Sequence, residues 1–417
     1  HTEGVDVFFC QLVQLAKTRK RQMAGQNYRE YQRSGKKTLP ILMVCIDDFS
    51  RLRKKLRDEQ EEALLRMVSE GIGIGMFFVM TGSGTGDFPA KLFQKVKLTI
   101  ALEMSDLYQY GDVMRKYHGF PYPKSGVAGR GLCKIEDRIL EFQTALFKKQ
   151  MFCIQNGTVV YPHFRHIPLE PEWKDMEQVQ DTKISRKIPV AYNRKTGEVE
   201  AFSLERTGAF LISGGYRTGK TNVVQNILSS LCLRKQEILL IDFSKEHWDF
   251  RTRERVQYVT SESETDGILR MNMHKRGTWI VVVPQLQKFT DYLSGGGQDG
   301  MERTRFWEKK IWEQTSCFVI GSYHPQKDLN LQMSVFFKKL AEFQCGIHLG
   351  GNVAMQRVLE FDDLSFAQMN VPEKAGDGVY KNGAGSGTKE IRIPVWGKEE
   401  EKHDACGSGD TGSLGNV

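Results

Sequence analysis

A glycine-rich loop carries the clearest chemical signal in the sequence. Residues 214–221 read G-G-Y-R-T-G-K-T, which satisfies the phosphate-loop pattern G-x-x-x-x-G-K-[ST]. In such a loop the backbone N–H groups surround a phosphate, the lysine reaches the outer phosphates, and the final hydroxyl binds Mg²⁺. We therefore predict a site for ATP and Mg²⁺, with Thr221 as the metal ligand. The predicted cofactor-binding residues are Gly214, Gly215, Tyr216, Arg217, Thr218, Gly219, Lys220, Thr221 and Asn222.

Carboxylates that could activate water lie far from this loop in the sequence. Asp47 and Asp48 follow an apolar run over residues 40–46, as in a Walker B element. In that element the first acid supports the magnesium shell and the second polarises the attacking water. Asp47 and Asp48 are therefore the predicted catalytic residues, although no phosphate loop precedes them in the sequence.

The strand that should bring such acids to the phosphate loop ends without them. The apolar run over residues 279–283 is followed by Pro284 and Gln285. Loss of the acid that orients water should slow hydrolysis by orders of magnitude, whereas phosphate binding survives. Asp242, which follows the run over residues 238–241, could support the magnesium shell instead, or its strand could serve packing. We expect a module that binds ATP and hydrolyses it poorly.

A parallel sheet is needed to bring these residues together. Residues 209–213 predict a buried strand before the loop, and residues 223–231 predict a helix after it. Further apolar runs occur at residues 76–81, 98–102, 317–321 and 346–350. Strands that alternate with helices and are apolar on both faces are typical of mostly parallel sheets in the α/β class.

The two halves of the chain repeat one module. Residues 41–48 correspond to residues 280–285, and the G-R-G at 129–131 corresponds to the G-D-G at 376–378. We predict four segments from this repeat and from composition. They are the C-terminal part of an ATPase module over residues 1–150, truncated at its N-terminus, a linker over 151–186, a complete degenerate module over 187–397 and a disordered tail over 398–417.

Composition sets broad limits. The chain of 417 residues has 59 basic and 51 acidic residues, a net charge of +8, which permits an acidic partner. Its cysteines are scattered and form no C-x-x-C pair, as expected in a reducing compartment. No apolar run approaches the roughly 20 residues that cross a bilayer. The basic run at residues 17–21 predicts a solvated helix face, with nucleic-acid contact as the alternative.

Short strings at matching places resemble one family. They are G-R-G-L at 129–132 with E-F-Q-T-A at 141–145, I-P-V at 188–190, the loop at 214–221 and G-D-G-V-Y at 376–380. Together they resemble the second and third ATPase modules of the EssC proteins of type VII secretion, within the FtsK/SpoIIIE class of motor ATPases. The resemblance spans residues 5–396 and implies tandem RecA-like P-loop NTPase modules.

The resemblance also implies a function. EssC-type proteins are coupling ATPases at the cytoplasmic side of the bacterial cell membrane, where they recruit WXG100-type or related secreted proteins. The implied partners are therefore such substrates, other copies of the chain in a hexamer, and the membrane through a preceding N-terminal part, with nucleic acid unexpected. Two alternatives stay open: a DNA-translocating motor fragment, and a non-catalytic interaction scaffold with a vestigial phosphate loop.

Overall fold

The computed structural model divides the chain into two compact units, His1–His166 and Ile167–Val417. It describes residues 2–35, 39–135, 138–146, 164–168, 170–179, 187–204, 207–272, 279–312 and 317–397. The division falls inside the predicted linker, residues 151–186, and the predicted tail lies outside the described residues. Within these ranges no helix is both long enough and apolar enough to cross a membrane.

The first unit contains two small sheets. Its strands are β1 (Leu42–Ile46), β2 (Met76–Met80), β3 (Thr99–Ala101), β4 (Arg130–Ile135) and β5 (Arg138–Gln143). Its helices are α1 (Thr2–Met23), α2 (Tyr28–Arg33), α3 (Phe49–Arg53), α4 (Asp58–Glu70), α5 (Ala90–Phe93) and α6 (Leu107–Met114). β1 and β2 pair in parallel, and β3, β4 and β5 form an antiparallel sheet. Leu12 of α1 and Leu64 of α4 pack with Val44 and Met76 in one buried core.

A ten-stranded sheet forms the second unit. Its strands are β6 (Lys187–Asn193), β7 (Val199–Ser203), β8 (Gly208–Gly214), β9 (Ile238–Ile241), β10 (Val256–Val259), β11 (Trp279–Val283), β12 (Cys317–Tyr323), β13 (Cys345–Leu349), β14 (Asp377–Asn382) and β15 (Lys389–Arg392). Their order is β10-β9-β11-β12-β8-β13-β14-β15-β6-β7. The strands from β10 to β13 in this order run parallel, and those from β14 to β7 are antiparallel. The predicted mostly parallel α/β sheet is confirmed.

Helices cover both faces of this sheet. They are α7 (Trp173–Val179), α8 (Lys220–Leu233), α9 (Glu262–Asn272), α10 (Leu286–Ser294), α11 (Gln298–Trp312), α12 (Val335–Ala341) and α13 (Phe366–Met369). The apolar stripe of α8 packs on one face, and α10, α11 and α12 contribute to the core on the other. α7 lies within the predicted linker, and its Trp173 donates a hydrogen bond from Nε1 to Ser230 Oγ of α8 at 2.9 Å. It therefore packs as part of the second unit.

The predicted repeat is visible in the strand registers. Ile46 pairs with Met80 in the first unit as Val283 pairs with Gly321 in the second, so Asp48 and Gln285 occupy equivalent positions. In the second unit the strand residues facing α8 are buried. Their counterparts in the first unit include Met43, Val79, Ile100 and Leu102, which are 48–61% exposed. No described element of the first unit corresponds to β8 or α8.

The structure corrects the prediction for the basic run at residues 17–21. Four of its residues are exposed, but Arg19 is buried. Its guanidinium donates hydrogen bonds to the carbonyl oxygens of Ile74 and Pro40, both at 2.8 Å, and burial lowers its pKa. Arg19 therefore joins α1 to the segments that flank β1 and β2, instead of offering its charge to an acidic partner.

We expect Arg19→Met to lower the free energy of unfolding of the first unit by about 2–3 kcal/mol. The substitution keeps an apolar stem but leaves buried carbonyl groups without a charged donor. Amide hydrogen exchange, followed on peptides from residues 39–80, measures this locally. Arg21→Met, at an exposed position of the same helix, is the control and should change little. Equal protection in the two variants would show that the guanidinium is dispensable.

Candidate nucleotide site

The phosphate loop lies between β8 and α8, as the sequence predicts. Every residue of β8 is buried, which fixes the start of the loop at the carboxyl end of the sheet. Gly214 is required there because a Cβ would lie 2.6 Å from Thr218 Oγ1. Gly219 has φ +107° and caps the N-terminus of α8, a conformation that favours glycine. The loop thus turns its backbone towards the N-terminal end of the helix.

Neighbouring loops hold the phosphate loop in place. Thr218 Oγ1 donates a hydrogen bond to the Gly215 carbonyl at 3.1 Å, and the Gly376 N–H donates to the Thr218 carbonyl at 3.0 Å. Gly350 has φ +90°, and a Cβ there would come within 2.3 Å of the Thr218 side chain. Glycines after β13 and before β14 therefore allow close packing against the loop.

Lys220 lies across the loop. Its Nζ donates hydrogen bonds to the carbonyl oxygens of Gly214 at 2.8 Å and Gly215 at 2.6 Å. Burial lowers the pKa of Lys220, while the nearby carboxylates of Asp328 and Glu246 act in the opposite direction. An ammonium group that is held by two carbonyls and partly desolvated is well placed to exchange them for phosphate oxygens.

Lys327 and His324 form a second group of side chains beside the loop. Lys327 donates a hydrogen bond from Nζ to the hydroxyl of Tyr216, and its Nζ lies 4.2 Å from the centre of that ring. The His324 ring packs edge-on against Tyr216 with centroids 5.1 Å apart. Burial and the charge of Lys220 lower the pKa of His324. Neither His324 nor Lys327 belongs to a recognisable sequence motif, because they follow β12 and reach the loop only through the fold.

Pro284 and Gln285 follow β11 at the same edge of the sheet, since β8, β11 and β12 are parallel. The Pro284 carbonyl accepts a hydrogen bond from Ser322 Oγ. Both polar atoms of the Gln285 amide are buried, and neither has a hydrogen-bond partner in the described part of the chain. Unpaired buried amides are costly, so this group is suited to bind a polar ligand or water.

Glu246, a carboxylate outside the sequence motifs, lies beside the predicted metal ligand Thr221. Thr221 Oγ1 donates a hydrogen bond to Glu246 Oε2 at 3.3 Å. Asp242, considered as an alternative acid, is instead fully buried and accepts hydrogen bonds from the His247 N–H at 2.8 Å and the Tyr258 hydroxyl at 3.0 Å. Asp242 therefore shapes its own loop, whereas Glu246 reaches Thr221 from the loop after β9.

The residues present fit a nucleotide with Mg²⁺. The loop offers backbone N–H groups at a helix N-terminus, Lys220 offers a charged donor, and Thr221 offers an exposed hydroxyl. Gln285 adds an unpaired amide at the same edge. Asn222 has another role for its side chain, which bonds to the Pro394 carbonyl at 2.8 Å and the Trp396 N–H at 2.7 Å. Asn222 therefore anchors α8 to the segment that follows β15.

The predicted catalytic pair of the first unit lies after β1. Asp47 accepts a hydrogen bond from the Thr81 hydroxyl after β2, and Asp48 caps α3 by accepting from the Ser50 N–H at 2.9 Å. Hydrogen bonds from Ser50 lower the pKa of Asp48. Within the described residues of this unit, no phosphate loop lies beside them. Their catalytic role stays a prediction.

Comparison with known proteins supports the resemblance predicted from the motifs. No family model matches the chain. An ESX secretion system protein EccC from Geobacillus thermodenitrificans is 23% identical over 265 residues, covering 58% of this chain and 18% of that protein. The type VII secretion system protein EssC from Staphylococcus aureus is 22% identical over 266 residues, covering 58% and 17%. The match thus spans less than a fifth of the length of these relatives.

Solved structures give the same result for the fold. EssC ATPases 2 and 3 from Geobacillus thermodenitrificans align with a TM-score of 0.69 and 19% identity, covering 95% of this chain and 79% of that one. A cytoplasmic domain of EssC aligns with a TM-score of 0.64 and 18% identity, covering 95% and 82%. The resemblance to EssC and the fold of tandem ATPase modules are confirmed.

Proposed function

We propose that this chain forms nucleotide-binding modules of a type VII secretion coupling ATPase, and that its second unit binds Mg·ATP and hydrolyses it slowly. The observation that carries the proposal is the intact phosphate loop with Lys220 across it, at the same sheet edge as a β11 that is followed by Pro284 and Gln285. Binding groups are present, whereas the position of the water-activating acid holds an amide.

In this proposal the chain's own groups bind and orient the nucleotide. Backbone N–H groups of the loop and the Lys220 ammonium stabilise the phosphate oxygens, and Thr221 holds Mg²⁺, which neutralises phosphate charge when bound. Gln285 can donate or accept a hydrogen bond at the reacting end but cannot remove a proton. Nucleotide then acts mainly as a structural or regulatory ligand of the module.

The wider role rests on the resemblance alone. EccC and EssC are secretion proteins by name, and we extend to this chain the recruitment of WXG100-type or related secreted proteins. Assembly with other copies and attachment to the cytoplasmic side of the membrane belong to the same proposal. The DNA-motor alternative is weakened by the burial of Arg19, which removes one cation from the basic run.

Calorimetry with Mg·ATP tests the binding function. The wild-type chain should bind, and Lys220→Ala should weaken binding about 10- to 100-fold, the effect of losing one charged hydrogen-bonding group. Lys174→Ala, at an exposed position of α7, is the control for loss of a lysine and should bind as the wild type does. Absence of binding by the wild-type chain would leave the non-catalytic scaffold. Rapid hydrolysis that Lys220→Ala abolishes would refute slow turnover.

A further inference from the structure

The loop after β9 has a defined shape that places Glu246. Buried Asp242 accepts hydrogen bonds from the His247 N–H and the Tyr258 hydroxyl, which closes the loop on itself. Lys245 has φ +56°, and Ser244 Oγ accepts a hydrogen bond from Lys288 Nζ at 2.7 Å. The loop is thus tied to β10 and to α10, and the side chain of Glu246 extends from it to Thr221.

The contact with Thr221 defines what Glu246 can do. In a phosphate loop the hydroxyl at this position is a ligand of Mg²⁺. A carboxylate oxygen 3.3 Å from that hydroxyl oxygen lies within reach of the same metal position, directly or through a metal-bound water. Mg²⁺ in nucleotide sites is bound by phosphate oxygens, several waters and one or two carboxylates.

Other acids near the loop are less suitable for this role. β11 is followed by Pro284 and Gln285, neither of which is an acid. Asp328 is close enough for its charge to raise the pKa of Lys220, but its Oδ2 already accepts a hydrogen bond from the His324 N–H at 2.7 Å. Asp242 is fully buried and positions the loop. Glu246 is exposed, raises the pKa of Lys220 by its charge and contacts Thr221. Because it is already solvated, it loses little hydration on meeting a hydrated ion.

We propose that Glu246 supplies the carboxylate of the magnesium shell in the second unit, in place of the acid missing from the end of β11. The proposal rests on the proposed binding of Mg·ATP and adds a metal-binding residue from a different strand. It assigns Glu246 to metal binding and leaves the water-activating position, at Gln285, without an acid. The module would then hold ATP in a magnesium-dependent way while turning it over slowly.

The test separates metal binding from nucleotide binding. ATP affinity is measured by calorimetry in EDTA and in Mg²⁺, and Mn²⁺ affinity of the protein·ATP complex is measured by electron paramagnetic resonance. We expect Glu246→Gln to bind ATP in EDTA at least as tightly as the wild type, because a negative charge near the phosphates is removed. Its Mn²⁺ affinity in the complex should fall about 10- to 100-fold.

Glu237→Gln is the matched control. Glu237 precedes β9, its side chain is 76% exposed, and the same charge is removed away from the loop. This variant should keep wild-type affinities for ATP and Mn²⁺. If Glu246→Gln still binds ATP and keeps its Mn²⁺ affinity, Glu246 is not a metal-binding residue. The proposed nucleotide binding would then stand unaffected. Failure of the wild-type chain to bind ATP in either buffer would overturn the proposed function and this inference together.

Discussion

Replacing Gln285 with glutamate is expected to raise the rate of ATP hydrolysis by the second unit about 100-fold, the lower range of what a positioned general base contributes. Gln285 is the residue at the position that Asp48 holds in the first unit. Its side chain is buried without a hydrogen-bond partner among the described residues, so glutamate of the same shape can replace it. The new carboxylate would also stand at the N-cap of α10, where the helix dipole favours negative charge.

Steady-state phosphate release measures the effect. Gln257→Glu, at an exposed position of β10, makes the same chemical change away from the loop and should leave the rate at its wild-type value. Combining Gln285→Glu with Lys220→Ala should abolish the gain, because the phosphates would no longer be held. An unchanged rate in Gln285→Glu, with ATP still bound, would mean that another group limits hydrolysis, with Pro284 the first to examine.

The same substitution carries a stability cost that depends on ligand. Without Mg·ATP the buried carboxylate would lack a partner, and burying an unpaired charge is unfavourable. The variant should therefore melt below the wild type when empty and recover when Mg·ATP is added. A melting temperature that recovers with Mg·ATP would show that the new carboxylate faces the metal. A melting temperature that stays low would show that it turns away into the core.

The fold near the phosphate loop was predictable because its signals are local and strong. β8, β11, β12 and β13 are buried parallel strands, so each is rich in apolar residues, and the loop itself is a fixed pattern of residue types. β10 lies at the sheet edge with only its last residue buried, and its mixed sequence gave no such signal. Edge strands pack against fewer neighbours and need fewer apolar residues.

The parts of the site that sequence reasoning missed depend on distant contacts. Glu246 reaches Thr221 across 25 residues of sequence, from a loop whose shape depends on hydrogen bonds to buried Asp242. Lys327 reaches Tyr216 across 111 residues. Arg19 was predicted to be solvated because it lies in a run of charged residues. The carbonyl group that it binds, on Ile74, lies 55 residues away in the sequence. A residue type and its spacing cannot reveal a partner that only tertiary structure supplies.

Breaking the pair of Asp377 and Arg392 should strongly destabilise the second unit. The two residues are opposite each other on β14 and β15, and Arg392 donates Nε to Oδ1 at 2.8 Å and Nη2 to Oδ2 at 2.9 Å. The Asp377 side chain is only 4% exposed. We expect Arg392→Met to lower the free energy of unfolding by about 3–5 kcal/mol, because it leaves a buried carboxylate without its partner.

Urea unfolding followed by tryptophan fluorescence measures this loss, since all tryptophans of the chain lie in the second unit. Lys195→Met is the matched control: Lys195, in the turn after β6, forms an ion pair with Glu390 of β15 at 3.0 Å, but the lysine side chain is 56% exposed. Exposed pairs contribute at most about 1 kcal/mol, so this variant should stay near the wild type. Similar losses in both variants would show that burial of Asp377 does not decide the cost.

The effect of Arg392→Met should extend to the nucleotide. The Asp377 carbonyl accepts a hydrogen bond from the Gly350 N–H, and the preceding Gly376 N–H holds the Thr218 carbonyl of the phosphate loop, both at 3.0 Å. Displacement of Asp377 would therefore loosen the packing of the phosphate loop at Thr218. Removing the charge as well, in Arg392→Met with Asp377→Asn, should recover much of the stability because no buried charge remains unpaired. ATP affinity that recovers together with stability would show that the pair supports the loop through the backbone.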